Sequence, residues 1–126
     1  MHGHSFTGNP IGCVAAIASL ELLEKEECQE AMKNIAARHK VFAEQIKTLD
    51  VIEDIRQTGT VIAIELKADS SGYASTIRQK LYQSFLSQGV LLRPLGNVIY
   101  ILAPYCITEH ELTKVYNVIE EKLKQL

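Results

Sequence analysis

Two short segments bring together residue types that could do chemistry. The first is the run His2-Gly3-His4-Ser5-Phe6-Thr7-Gly8-Asn9-Pro10. Asn9 is a favoured N-cap and Pro10 suits the first helical position, so the run leads into a helix. Unpaired N–H groups and the positive end of the dipole at such a start attract anions, and with nearby hydroxyls they could hold a phosphate. Polar, glycine-rich approaches to helices are also common without any ligand, and on generic grounds that plainer reading comes first. His2 and His4 have no third metal donor beside them, while His39 and His110 fall on helices elsewhere. No metal site is expected.

The second segment is Leu91-Leu92-Arg93-Pro94-Leu95-Gly96-Asn97-Val98-Ile99-Tyr100. Here an arginine ends an apolar strand and a tight turn follows at once. A guanidinium fixed among apolar neighbours can grip a carboxylate through two parallel hydrogen bonds. The commoner case is a strand-end arginine that points into water. Tyr100 and Tyr105 read first as half-buried packing residues. Arg56, near Thr58-Gly59, is expected to pair with a carboxylate such as Glu65. Cys13, Cys28 and Cys106 have no evident activating neighbours and are expected to be buried and inert. No lysine has the apolar setting that lowers its pKa for Schiff-base chemistry.

The elements that must position these segments follow from pattern. From Ile11 to Leu23 nearly every residue is apolar or small, on all sides of the expected helix. Such a helix must be buried all round, and the remaining chain is too small to enclose it. It therefore calls for a further domain or a second subunit. A second helix over about residues 27–48 gathers Met32, Ile35, Ala36, His39, Phe42, Ala43 and Ile46 on one face. Residues 51–66 read as two β segments meeting at Thr58-Gly59. Asp69 to Gly72 is a turn, and Ala74 to Ser87 a helix that presents Ile77, Leu81 and Phe85 and stops at Gly89. Val90–Arg93 and Val98–Leu102 read as two short strands around the Pro94-Leu95-Gly96-Asn97 turn. Thr108 with Glu111 forms a capping box for a last helix showing Leu112, Val115, Tyr116, Ile119 and Leu123. This order predicts an α+β domain, a small antiparallel or mixed sheet with helices on one face.

Bulk properties narrow the function classes. A formal net charge of −2 over 126 residues, with both signs interspersed, argues against a nucleic-acid stripe or a polybasic membrane patch. Three widely spaced cysteines suggest no disulfide framework and fit a reducing cytoplasm. Met1 is not followed by a basic segment and a long apolar run, and the apolar stretch Ile11–Leu23 is too short to span a bilayer. The expectation is a soluble cytoplasmic protein.

Taken together, the two segments resemble one family. HGHSFTGNPIGCVAAIASLELL is similar to the part of class III, fold-type I aminotransferases that follows the cofactor lysine. RPLGNVIYILAPYCIT resembles the C-terminal signature of one branch, the adenosylmethionine–8-amino-7-oxononanoate aminotransferases. The resemblance covers essentially the whole chain. It implies a C-terminal fragment of a homodimeric, pyridoxal 5'-phosphate-dependent enzyme. That enzyme passes an amino group from S-adenosylmethionine to 8-amino-7-oxononanoate in biotin biosynthesis.

By position, the resemblance gives His4 and Ser5 to the cofactor phosphate, reaching into the neighbouring subunit's active site. It gives Gly3, Arg93 and Tyr100 to the substrate pocket, with Arg93 on the substrate carboxylate. Serine stands where the family more often has threonine, and keeps the hydroxyl. Ala103 stands where the family has proline. Residues 1–25 would be the cofactor-phosphate loop and a helix linking to the large domain, and 26–126 the small domain. The lysine, the aspartate for the pyridine nitrogen and the ring-covering aromatics would all be upstream. No catalytic residue is therefore assigned within this chain. The alternatives are another class III aminotransferase, of ornithine or 4-aminobutyrate type, and a stand-alone α+β module that binds an anion or a partner without catalysis.

Overall fold

A computed structural model describes residues 3, 5, 7–67 and 73–126, leaving out the side chains of 73–77. His2, His4 and the expected Asp69–Gly72 turn lie outside the described residues. The element order is α1 (Pro10–Leu23), α2 (Glu26–Ile46), β1 (Ile52–Thr58), β2 (Val61–Leu66), α3 (Tyr73–Ser87), β3 (Val98–Leu102) and α4 (Glu109–Leu123). The strands form an antiparallel sheet in the order β1-β2-β3. The α+β expectation holds.

Strict alternation along β2 decides which side of the sheet is dry. Ile62, Ile64 and Leu66 are buried, while Val61, Ala63 and Glu65 are only half-buried. Successive strand residues face opposite sides, and the register sets Ile101 and Ile99 of β3 beside Ile62 and Ile64. Against this face pack Ile35, Phe42 and Ile46 of α2, Leu81 and Phe85 of α3, and Leu112, Ile119 and Leu123 of α4. The other face carries Arg56, Ala63 and Tyr100 side by side in the register and has no helix of this core on it.

Several sequence signals act as expected. Thr58 pairs with Val61 across a two-residue loop in which Gly59 has φ +55, a glycine-first hairpin that follows the strand twist. Gly89, at φ +71, ends α3, with its N–H on Leu86 O and that of Val90 on Phe85 O. The Thr108–Glu111 capping box is complete. Arg56 donates to Glu65 at 2.7 Å and to Asp54 at 2.8 Å.

Two expectations need correction. Val90–Arg93 alternates in burial like a strand but is not part of the ladder. Pro94 has no N–H to give a rung, and an open groove of about 540 Å³ parts this segment from β3, lined by Val90, Leu91, Ile101 and Leu102 among others. The cysteines are not buried: Cys13 and Cys106 are exposed and Cys28 intermediate. Cys13 sits on a helix that has no buried residue, and Cys106 in the turn after Pro104. Tyr100 and Tyr105, at 37% and 36% exposed, are part-covered as expected, with Tyr100 on the uncovered face.

His39 is fully buried in the core. Its Nε2 lies 3.1 Å from Thr60 O, and its Nδ1 2.7 Å from Tyr116 Oη. A carbonyl only accepts, so Nε2 carries the proton and Nδ1 accepts from the phenol. This ties α2 to the β1–β2 loop and to α4. Burial lowers the His39 pKa, opposed by the Thr60 bond, and pushes the Tyr116 phenol up to about 12. Between the depressed folded pKa and the ordinary value of 6.5, only the unfolded chain takes up the proton. The stabilising contribution is therefore full above that value and drains as the pH falls through the window.

Thermal unfolding between about pH 8 and pH 5 should show stability falling on the acid side. His39→Phe should flatten that slope and cost about 1–3 kcal/mol by orphaning Thr60 O and Tyr116 Oη. An unchanged slope in the variant would assign the effect to other groups.

α1 has no buried residue: Ile11 is 80% exposed, and Val14, Ile17, Leu20 and Leu22 are exposed with it. An apolar surface of this extent drives association. The chain alone should self-associate in light scattering, and Ile17→Lys with Leu20→Lys should shift it toward monomer. A monomeric wild-type chain would contradict this.

Candidate functional site

The turn between Arg93 and Tyr100 is built by local backbone rules. Leu95 and Val98 exchange both backbone hydrogen bonds, at 2.8 and 3.0 Å. Gly96, at φ +62, starts the two-residue loop they enclose. In an antiparallel pair, residues directly opposite project to the same side. Beyond this isolated bridge the pairing does not continue, and alternation along each arm puts Leu91, Arg93 and Leu95 on one side of theirs and Tyr100 and Leu102 on one side of theirs. Exposure agrees, since Leu91 is 70%, Leu95 71%, Leu102 64% and Tyr100 37% exposed, and Arg93 is exposed too.

Arg93 is therefore an exposed arginine on a turn whose Leu91, Leu95, Tyr100 and Leu102 are exposed with it. Among the described residues, no hydrogen bond or ion pair engages Arg93. Arg56, by contrast, is held by Glu65 and Asp54 on the same sheet, and Arg38 by Thr113 and Glu109 between α2 and α4. Among the described residues Arg78 of α3 and Arg93 have no protein partner, and of the two Arg93 is the one beside a tight turn.

The helix-start candidate is more modest than its sequence suggests. Pro10 has no N–H, the Ile11 N–H goes to Asn9 Oδ1 at 3.1 Å, and the Cys13 N–H to Asn9 O at 3.0 Å. Of the first four helical residues, only Gly12 keeps its N–H clear of a protein acceptor among the described residues. The grip on an anion must come mainly from the loop ahead. Ser5 is exposed in a turn, and no atom lies within 4 Å of where a side chain on Gly3 or Gly8 would start. Gly8, at φ +75, sets the bend into Asn9. His4 lies outside the described residues. Arg93 and Tyr100 thus share one hairpin, while Gly3 and Ser5 belong to the separate loop before α1.

A family model for class-III aminotransferases matches residues 1–123. This chain belongs to the class-III aminotransferase family. The adenosylmethionine-8-amino-7-oxononanoate aminotransferase of Synechococcus elongatus is 41% identical over 125 residues, covering 99% of this chain and 29% of that protein. The crystal structure of the enzyme of that name from Methanocaldococcus jannaschii superposes with a TM-score of 0.78 at 35% identity, over 98% of this chain and 30% of that one. The acetylornithine aminotransferase of Elizabethkingia anophelis gives a TM-score of 0.82 at 26% identity, over 100% of this chain and 33% of that one. The chain spans less than a third of the curated relatives it matches, 29% and 28% of the first two.

Class-III aminotransferases use pyridoxal phosphate, and this chain's residues suit one end of that cofactor. An exposed Ser5 hydroxyl, the Gly12 N–H and the open space around Gly3 and Gly8 suit its phosphate. Its aldehyde end finds no partner here. Every lysine is exposed except Lys122, which is paired with Glu121, so none has the desolvated setting that yields a reactive amine.

Proposed function

We propose that this chain is the C-terminal part of an aminotransferase that moves an amino group from S-adenosylmethionine to 8-amino-7-oxononanoate, giving 7,8-diaminononanoate in biotin synthesis. One observation carries the reading. Arg93 is exposed with no protein partner among the described residues, on a turn where Leu91, Leu95, Leu102 and Tyr100 are exposed too, which suits a carboxylate at the end of an aliphatic chain. The names and identities of the relatives support the choice of substrates.

In this reading Arg93 fixes the carboxylate, Tyr100 borders the chain beside it, and Gly3 leaves room in the pocket wall. His4 and Ser5 hold the cofactor phosphate across a homodimer interface. Bound pyridoxal phosphate supplies the electron sink that lets a Cα proton leave, and the residues here hold and orient the reactants. Residues 1–25 link to a large domain that covers α1, and 26–126 form the small domain. A cytoplasmic homodimer follows from the same reading. The likeness to acetylornithine aminotransferase favours, as a second reading, a class-III enzyme with another amino-group pair.

Two measurements test the proposal. In the family-length polypeptide carrying this chain, Arg93→Ala should weaken the 8-amino-7-oxononanoate step by about 2–5 kcal/mol and leave the adenosylmethionine half-reaction nearly intact. Equal loss in both would remove Arg93 from this role. The chain by itself should show no transamination of this pair at any cofactor concentration, and measurable turnover would contradict the assignment of the reactive lysine to a large domain.

A further inference from the structure

The turn that presents Arg93 is fastened to the central strand by a side chain. The β2–β3 register, extended by one residue, sets Leu66 against Asn97. The Leu66 N–H does donate to Asn97 O, at 2.9 Å. The return bond, from the Asn97 backbone N–H to Leu66 O, is not made. Leu66 O accepts instead from the Asn97 side-chain Nδ2 at 2.7 Å. Gly96, at φ +62, turns the chain just before this point, so the side-chain amide completes a rung that the turning backbone does not.

Leu66 is almost wholly buried and Asn97 half-buried, so the anchor ties the turn to a core residue at the edge of the core. On the opposite side, Lys67 N donates to Val51 O at 2.9 Å, which holds the end of β2 to the chain before β1 whatever happens at Asn97.

We infer that Asn97 is a positioning residue for Arg93: its bracket on Leu66 fixes the turn, and with it the guanidinium, at the angle that a substrate carboxylate meets. The inference rests on the carboxylate role proposed for Arg93. Three residues separate Asn97 from Arg93, and the Leu95–Val98 bridge makes the intervening turn stiff. A tilt at Asn97 therefore carries through to the arginine rather than dissipating. A two-bond grip on a carboxylate is sensitive to such a tilt, because both bonds must align together. Asn97 itself does not touch the ligand in this scheme.

The test uses Asn97→Ala and Asn97→Asp in the family-length enzyme, each alone and combined with Arg93→Ala. Aspartate keeps the size but cannot donate to Leu66 O. Both single variants should raise KM for 8-amino-7-oxononanoate about fivefold to tenfold, with the adenosylmethionine half-reaction unchanged. Neither should add to the effect of Arg93→Ala, since a misaimed arginine costs nothing once it is gone.

Full additivity in the double variant, or parallel loss of both half-reactions, would overturn the positioning role. So would single Asn97 variants with unchanged KM while Arg93→Ala remains strongly impaired, and that result would leave the functional proposal standing. An Arg93→Ala enzyme with normal KM would sink the functional proposal and this inference together.

Discussion

A three-stranded sheet with helices on one side has one dry face and one open face, and the rest of this structure follows from that asymmetry. Ile62, Ile64 and Leu66 of β2 point into the helices, so the residues between them must point away. Pairing then fixes the neighbours, because a shift of one residue would turn each isoleucine outward. Arg56, Ala63 and Tyr100 are placed on the open face by the same alternation that builds the core. Position on that face comes from hydrophobic patterning.

The polar bonds of the core serve the same arrangement. His39 sits where three elements meet, bonded to the β1–β2 loop through Thr60 and to α4 through Tyr116, whose ring also stacks on Phe42 at 4.3 Å between centroids. A neutral imidazole is well suited to this place because it donates at one nitrogen and accepts at the other. These bonds tie α2 and α4 to the β1–β2 hairpin. On the open face, Arg56 with Glu65 and Asp54 forms an exposed network; its screened charges contribute little to stability, but they leave those carboxylates engaged.

α1 stands apart from this economy of burial. A helix with apolar side chains on every side and none of them buried is incompatible with a finished surface in water. The Ser5 loop leads directly into its N-terminus. The Arg93 turn is thus braced from within the chain, whereas the Ser5 loop has no such brace among the described residues.

The sequence by itself determined the elements and their faces. Asn9-Pro10, Thr108 with Glu111, and Gly89 mark helix ends through local hydrogen bonds and glycine φ, which need no distant partner. The alternation of β2 and the helical spacing of Ile35, His39, Phe42 and Ile46 read directly as buried faces, and the two motif segments pointed to the family. Tertiary structure alone decided the rest. The groove beside Val90–Arg93, the surface position of the cysteines, the commitment of the α1 N–H groups to Asn9 and the bond from Asn97 to Leu66 all depend on which groups meet in space. Residue type states what a side chain can donate or bury; only packing states whether a partner is there to receive it.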